Sequence, residues 1–153
     1  AVEPVPVGIM IEVPAAAIMA EQFAREAEFF SIGTNDLTQD ILAMDRGHPK
    51  LAPQVDGLNP AVLRLIAQTA AGARKHGRWV GVCGGMAGDP QAVPILMGLG
   101  VKELSVAVPM IPTIKALIRS ISLQDARKQA RHALTLDSAA DVRALYPLED
   151  YEL

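Results

Sequence analysis

Glu12, Asp36 and Cys83 are the residues whose types and positions invite chemistry, because each stands where an apolar run gives way to a polar or glycine-rich turn. Glu12 closes the run at residues 7–11, Gly33-Thr34-Asn35-Asp36 closes that at 29–32, and Cys83-Gly84-Gly85 follows that at 79–82. Two carboxylates on successive strand ends can share one cation, and an all-oxygen donor set favours Mg²⁺ or Mn²⁺ over zinc. The same two residues also suit plainer roles, a strand-end charge for Glu12 and a helix cap for Asp36. Ser31-Ile32-Gly33-Thr34-Asn35-Asp36 is a strand-to-helix turn whose backbone N–H groups suit an anion such as phosphate. Asp36 repels that anion unless a cation bridges them, so the anion and the metal readings reinforce each other. Arg46, in Asp45-Arg46-Gly47, can grip a phosphate with both arms of its guanidinium, or simply pair with Asp45 in solvent. Cys83, the one cysteine, can donate a proton as a general acid, act as a nucleophile once ionised, or serve as a small buried hydrophobe. His48, His76 and His132 have no metal-ligand spacing and read as solvated.

The elements that must carry these residues follow from the apolar runs. A fourth run at 104–108 completes a set of four, each followed by a helix-like stretch. Near-continuous apolarity predicts parallel strands covered on both faces, in the order β, α, β, α, β, α, β, α. Helices are expected at 15–26, from Asn59-Pro60 to Gly77, from Asp89-Pro90 to Gly98 despite Pro94, and from Pro112 to 118. Ser122-Leu123-Gln124-Asp125 resembles a capping box that opens one or two further helices outside the alternation. The connection from 35 to 59 is helical at first, through Met44, and then an ordered loop. An open doubly wound sheet and a barrel both satisfy this pattern; in either, ligands gather where the strands end.

Composition narrows the classes. With 153 residues, 50% hydrophobic and 20% charged, the chain has enough material for one core and is taken as a single domain over 1–153, with no internal boundary. Its net charge of −3 is spread without a basic block, which argues against a nucleic-acid partner. One cysteine forms no internal disulfide, and no run is long enough for membrane insertion, so the expected location is cytoplasmic. The first residue is Ala1 and an apolar run follows at once, as expected of a piece of a longer protein.

Ile11-Glu12-Val13-Pro14, the stretch Phe29-Phe30-Ser31-Ile32-Gly33-Thr34-Asn35-Asp36-Leu37-Thr38-Gln39, Asp45-Arg46-Gly47, and Val82-Cys83-Gly84 through Ala87-Gly88-Asp89 occur in that order. Together, over roughly residues 7–120, they resemble the C-terminal phosphoenolpyruvate-binding domain of Enzyme I of the bacterial sugar phosphotransferase system. Pyruvate phosphate dikinase and phosphoenolpyruvate synthase share three of the four motifs, and Asp45-Arg46-Gly47 favours Enzyme I. The resemblance implies an α/β fold, the C-terminal half of a TIM-type (β/α)₈ barrel over 5–120 with a helical tail over 121–153. It implies that Glu12 and Asp36 ligate Mg²⁺, with Mn²⁺ as an alternative, that Asn35 and Arg46 hold the phosphoryl group, and that Cys83 protonates the enolate carbon. Further implied are phosphoenolpyruvate and pyruvate as ligands, an N-terminal domain bearing the phosphorylated histidine, and a phosphocarrier protein. Gly85 departs from the family's usual Glu and points to a fused multi-phosphoryl-transfer subtype. A complete barrel has eight strands and about 250 residues. Four strands leave two open edges, so the half-barrel is expected to be inactive alone and to associate, as a homodimer or with its missing half. A scaffold or dimerisation module without turnover is the alternative of a different class.

Overall fold

The computed structural model describes residues 3–147. Four strands, β1 (Ile9–Ile11), β2 (Phe29–Gly33), β3 (Trp79–Cys83) and β4 (Glu103–Leu104), form one parallel sheet in the order β1-β2-β3-β4. Between and after them run α1 (Pro14–Ile18), α2 (Ala20–Phe23), α3 (Thr34–Leu42), α4 (Pro60–Lys75), α5 (Ala92–Leu99), α6 (Ile111–Ser120), α7 (Leu123–Ala133) and α8 (Ala139–Arg143). Strand order equal to sequence order means that every crossover advances in the same direction along the sheet, whereas a doubly wound sheet reverses at its switch point.

The expectation that both sheet faces are covered is corrected. Ile11, Phe30, Ile32, Val80 and Val82 are buried with Val62, Leu63 and Ile66 of α4, so the helices lie on that face. The alternate positions line the other face: Met10 is 47% and Trp79 39% exposed, Ser31 is half-buried, and Phe29 stacks on Trp79 with ring centroids 4.5 Å apart. These runs look continuously apolar because even their open face carries Met10, Phe29 and Trp79, which hides the alternation of a one-sided sheet.

Local signals explain most boundaries. Asn59 accepts the N–H of Ala61 and Pro60 takes the first position of α4, while Ser122 caps α7 through Asp125 N. Pro94 falls in the first turn of α5, where its missing N–H leaves no helical bond unmade. Three expectations change. The helix expected over 15–26 is two short ones that turn at Met19, and both pieces pack on α4. The strand expected over 104–108 is Glu103–Leu104, paired with β3 among the described residues; Ser105 N makes the last bond, to Val82 O at 2.9 Å, before the chain leaves the sheet. The stop expected at Gly98 falls at Gly100, whose φ of 101° forms the left-handed cap. Gly98 lies inside α5 instead, where α7 crosses so closely that a Cβ would stand 2.6 Å from the carbonyl carbon of Ala126 and 2.7 Å from Ala130 Cβ. The tail is therefore packed in: Ala126, Ala130, Ala133 and Val142 are buried, the last three within the main core cluster.

Candidate functional site

The C-terminal ends of β1, β2 and β3 bring the sequence motifs together. Gly33 and Cys83 are register partners, so the turn after β2 and the turn after β3 leave the sheet side by side. Thr34 Oγ1 donates to the carbonyl of Cys83 at 2.8 Å, and Gly85 N donates to Asn35 Oδ1 at 2.9 Å. Because Gly85 N–H can only donate, it claims the amide oxygen of Asn35 and leaves the NH₂ end as a hydrogen-bond donor. Gly84 has φ +94°, and a Cβ there would stand 2.7 Å from Thr34 Oγ1 and 2.9 Å from Asn35 Oδ1, so only glycine permits this approach. Gly85 is different: the single atom near its absent Cβ is Asn35 Oδ1 at 3.5 Å, which leaves room for a side chain.

Among the described residues, Cys83 Sγ has weak, neutral partners. Ser31 Oγ donates to it at 3.5 Å, and it faces Ile32 O at 3.6 Å and Met10 Sδ at 3.8 Å. Glu12 folds over Gly33, whose missing Cβ would meet Glu12 Oε2 at 2.8 Å, and it makes no ion pair among the described residues. Glycine at 33 thus leaves a cradle that the Glu12 carboxylate occupies beside the Cys83 strand end. Asp36, in the first turn of α3, pairs with Arg46 at 2.8 Å. That pair is almost half exposed on both sides and is worth under about 1 kcal/mol, so exchanging it for ligand contacts costs little. Arg46 therefore reaches Asp36, not Asp45; Asp45 Oδ1 instead accepts Gly47 N at 2.7 Å, and Gln39 Oε1 accepts Arg46 N at 3.1 Å.

Glu12 and Asp36 offer oxygen donors only, and among the described residues no group of three or more His, Cys, Asp or Glu is close enough to hold a metal. Two carboxylates suit Mg²⁺, which keeps its remaining places for water and substrate oxygens. They do not suit zinc in a closed structural site.

A cluster that no sequence motif marks lies beside this edge. Arg143 of α8 donates to Asp56 Oδ2 at 2.7 Å and Oδ1 at 2.9 Å, to Asp89 Oδ2 at 3.0 Å and to Gln91 Oε1 at 2.8 Å. Between the cluster and Asn35 and Arg46 is a cavity of about 200 Å³, also lined by Thr38. Asp56-Gly57 signals a turn, but nothing in the sequence pairs position 56 with position 143.

Residues 1–123 match the protein family described as "PEP-utilising enzyme, PEP-binding domain". The chain belongs to this family. It is 58% identical over 140 residues to a multiphosphoryl transfer protein of Xanthomonas campestris pv. campestris, covering 92% of this chain and 17% of that protein. A multiphosphoryl transfer protein of Rhodobacter capsulatus is 56% identical over 142 residues, covering 93% and 17%. A phosphoenolpyruvate-protein phosphotransferase of Buchnera aphidicola is 47% identical over 136 residues, covering 89% and 24%. The chain thus spans between 17% and 24% of the length of these relatives. Among the described residues, no helix is long and apolar enough to cross a membrane.

Glu12, Asn35, Asp36, Arg46 and Cys83 all fall inside the matched PEP-binding segment, whereas Arg143 falls beyond it. Burial raises the Asp56 carboxyl, but the Arg143 hydrogen bonds, the N–H of Leu58 and the Arg143 charge outweigh it and hold Asp56 below the usual carboxylate range. A lowered acid contributes fully above its unfolded value of about 3.9 and loses that contribution as pH falls through the folded value. Urea unfolding of the chain is therefore expected to show stability falling below about pH 4, with a smaller fall in Asp56→Asn. Equal acid dependence in both proteins would refute the assignment.

Proposed function

We propose that this chain is the C-terminal half of a TIM-type (β/α)₈ barrel that binds phosphoenolpyruvate. In the whole protein, its phosphoryl group passes to a histidine outside this chain and on to a phosphocarrier protein, releasing pyruvate. The observation that carries the reading is the convergence of the motifs at one sheet edge, with Asn35 held on Gly85 and Gly33 in register with Cys83. Sequential strand order with helices on one face supports the half-barrel, whose open β1 and β4 edges suit the missing half or a second copy. The names of the relatives, multiphosphoryl transfer protein and phosphoenolpyruvate-protein phosphotransferase, favour this branch over the dikinases.

The chemistry follows from the side chains. Arg46 and the Asn35 NH₂ group bind the phosphoryl oxygens, and Glu12 and Asp36 are the residues that would hold Mg²⁺. When bound, that ion offsets the negative charge of phosphoenolpyruvate. As the phosphoryl group leaves, the P–O bond breaks and its electron pair stays on the enolate oxygen. The C2–O bond becomes a carbonyl and C3 takes a proton from the Cys83 thiol, which gives pyruvate; solvent then restores the thiol proton.

The test is a chimera in which this chain replaces the matching 140 residues of the Xanthomonas protein. Label from radiolabelled phosphoenolpyruvate is expected to reach the chimera in a Mg²⁺-dependent way, while the isolated chain takes up none. Asp36→Asn is expected to raise the Mg²⁺ concentration required by about 10- to 100-fold. A folded chimera without Mg²⁺-dependent transfer overturns the proposal.

A further inference from the structure

We propose that Arg143 is a positioning residue that clamps the Arg46-bearing loop against the turn after Cys83, making the tail a working part of the site. Its guanidinium makes four hydrogen bonds to side chains of two separate segments. Nε and Nη2 grip Asp56 at 2.7 and 2.9 Å, at the end of the loop that begins after α3 and carries Arg46. Nη1 grips Asp89 at 3.0 Å and Gln91 at 2.8 Å, at the end of the turn that Asn35 holds through Gly85.

Both anchors are themselves fixed. Asp56 Oδ1 also accepts Leu58 N at 2.9 Å, and Asp89 Oδ1 accepts Gln91 N at 2.9 Å. Gln91 is 7% exposed, and its Nε2 donates back to the carbonyls of Arg143 at 3.0 Å and Tyr146 at 2.6 Å, so the clamp is closed from the tail side. The two segments meet again at Gly57, where a Cβ would stand 2.5 Å from Met86 Sδ. A planar fork can hold two carboxylates in fixed relative positions, which a lysine point charge cannot.

The open space between the two segments is the pocket of about 200 Å³ lined by Asn35, Thr38, Arg46 and Arg143. Thr38 Oγ1 is buried there without a hydrogen-bond partner among the described residues. Asp36 and Gln39 of α3 hold the Arg46 end of the loop, and the Arg143 bridge holds its far end at Asp56 against the turn after Cys83. The catalytic consequence rests on the phosphoenolpyruvate reading above; the clamp itself does not.

Two measurements separate them. In the chain itself, Arg143→Ala is expected to speed amide hydrogen exchange in residues 45–58 and 84–91 by about tenfold. The strands are expected to be unchanged, Arg143→Lys to lie between, and Arg131→Ala to match the parent. If Arg143→Ala loses its cooperative melt, Asp56→Asn carries the same comparison. Unchanged exchange in both segments, or a uniform rise across the whole chain, overturns the clamp. In the Xanthomonas chimera, Arg143→Ala is expected to raise KM for phosphoenolpyruvate by about 10-fold or more with kcat within about twofold, and Arg143→Lys to recover part of the loss. A KM equal to the parent's overturns the positioning role. A parent chimera that transfers nothing defeats the phosphoenolpyruvate reading, and the exchange data then decide the clamp.

Discussion

Cys83→Ala in the chimera is expected to lower the rate of pyruvate release by about 10²- to 10⁴-fold, the usual worth of a positioned general acid. Binding of phosphoenolpyruvate is expected to stay within about twofold, because Cys83 takes no part in holding the phosphoryl group. The reason lies in its surroundings. Ser31 Oγ, Ile32 O and Met10 Sδ, its partners at 3.5, 3.6 and 3.8 Å, are all neutral. Among the described residues, no cationic side chain hydrogen-bonds it to stabilise a thiolate, so the neighbourhood suits a proton donor better than a nucleophile. Removing Sγ leaves those three groups without a strong bond to lose, so the fold is expected to persist. Equal rates of pyruvate release in Cys83→Ala and its parent would end the proton-donor role. Trapping of a covalent thioester or thioether in the parent would replace it with a nucleophilic one.

Gly98→Val is expected to be the most damaging single change to stability, at about 3 kcal/mol or more. A Cβ at this position collides with the carbonyl of Ala126 and stands 2.7 Å from Ala130 Cβ. A flexible neighbour could rotate away, but a backbone carbonyl inside α7 moves only if the helix does. Moving α7 opens the buried seam of Ala126, Ala130 and Ala133 against α5. In a chain of this size about 3 kcal/mol corresponds to a melting midpoint lower by roughly 6–12 °C. Gly88→Ala is the internal comparison. Nothing lies within 4 Å of its Cβ position and its φ is not in the left-handed region, so a change under about 0.5 kcal/mol is expected. Thermal unfolding followed by circular dichroism checks both, and similar midpoints for the two variants would contradict the close crossing.

Much of the frame was legible in the residues. The four runs carry strands, Asn59-Pro60 opens α4, and Ser122 opens α7, because side-chain hydrogen bonds and a proline ring act within two or three residues of their own position. The motif residues were legible for a related reason. In parallel sheets a polar residue just past an apolar run must emerge at the C-terminal edge, and several such ends are brought to one place by the crossovers. Glu12, Asn35 and Cys83 could therefore be named before their neighbours were known. Their roles could not be read from position alone, since a strand-end carboxylate or thiol serves equally as a ligand, an acid or a plain surface or core group.

Other features depend on distances between segments far apart in the chain. Which sheet face the helices cover was hidden because Met10, Phe29 and Trp79 make the open face apolar too. That Gly98 is a packing glycine and Gly100 the cap depends on the position of α7, 28 residues on at Ala126. Arg46 pairs with Asp36 of α3 and not with its sequence neighbour Asp45, whose Oδ1 accepts Gly47 N. The clearest case is Arg143, which meets Asp56 across 87 positions of sequence. The sequence by itself determined the elements, their caps and the residues able to reach the strand ends, since those are set by local sterics and short-range hydrogen bonding. Only the tertiary structure decided which charges neutralise one another, because that choice is made by packing between segments that carry no local record of their partners.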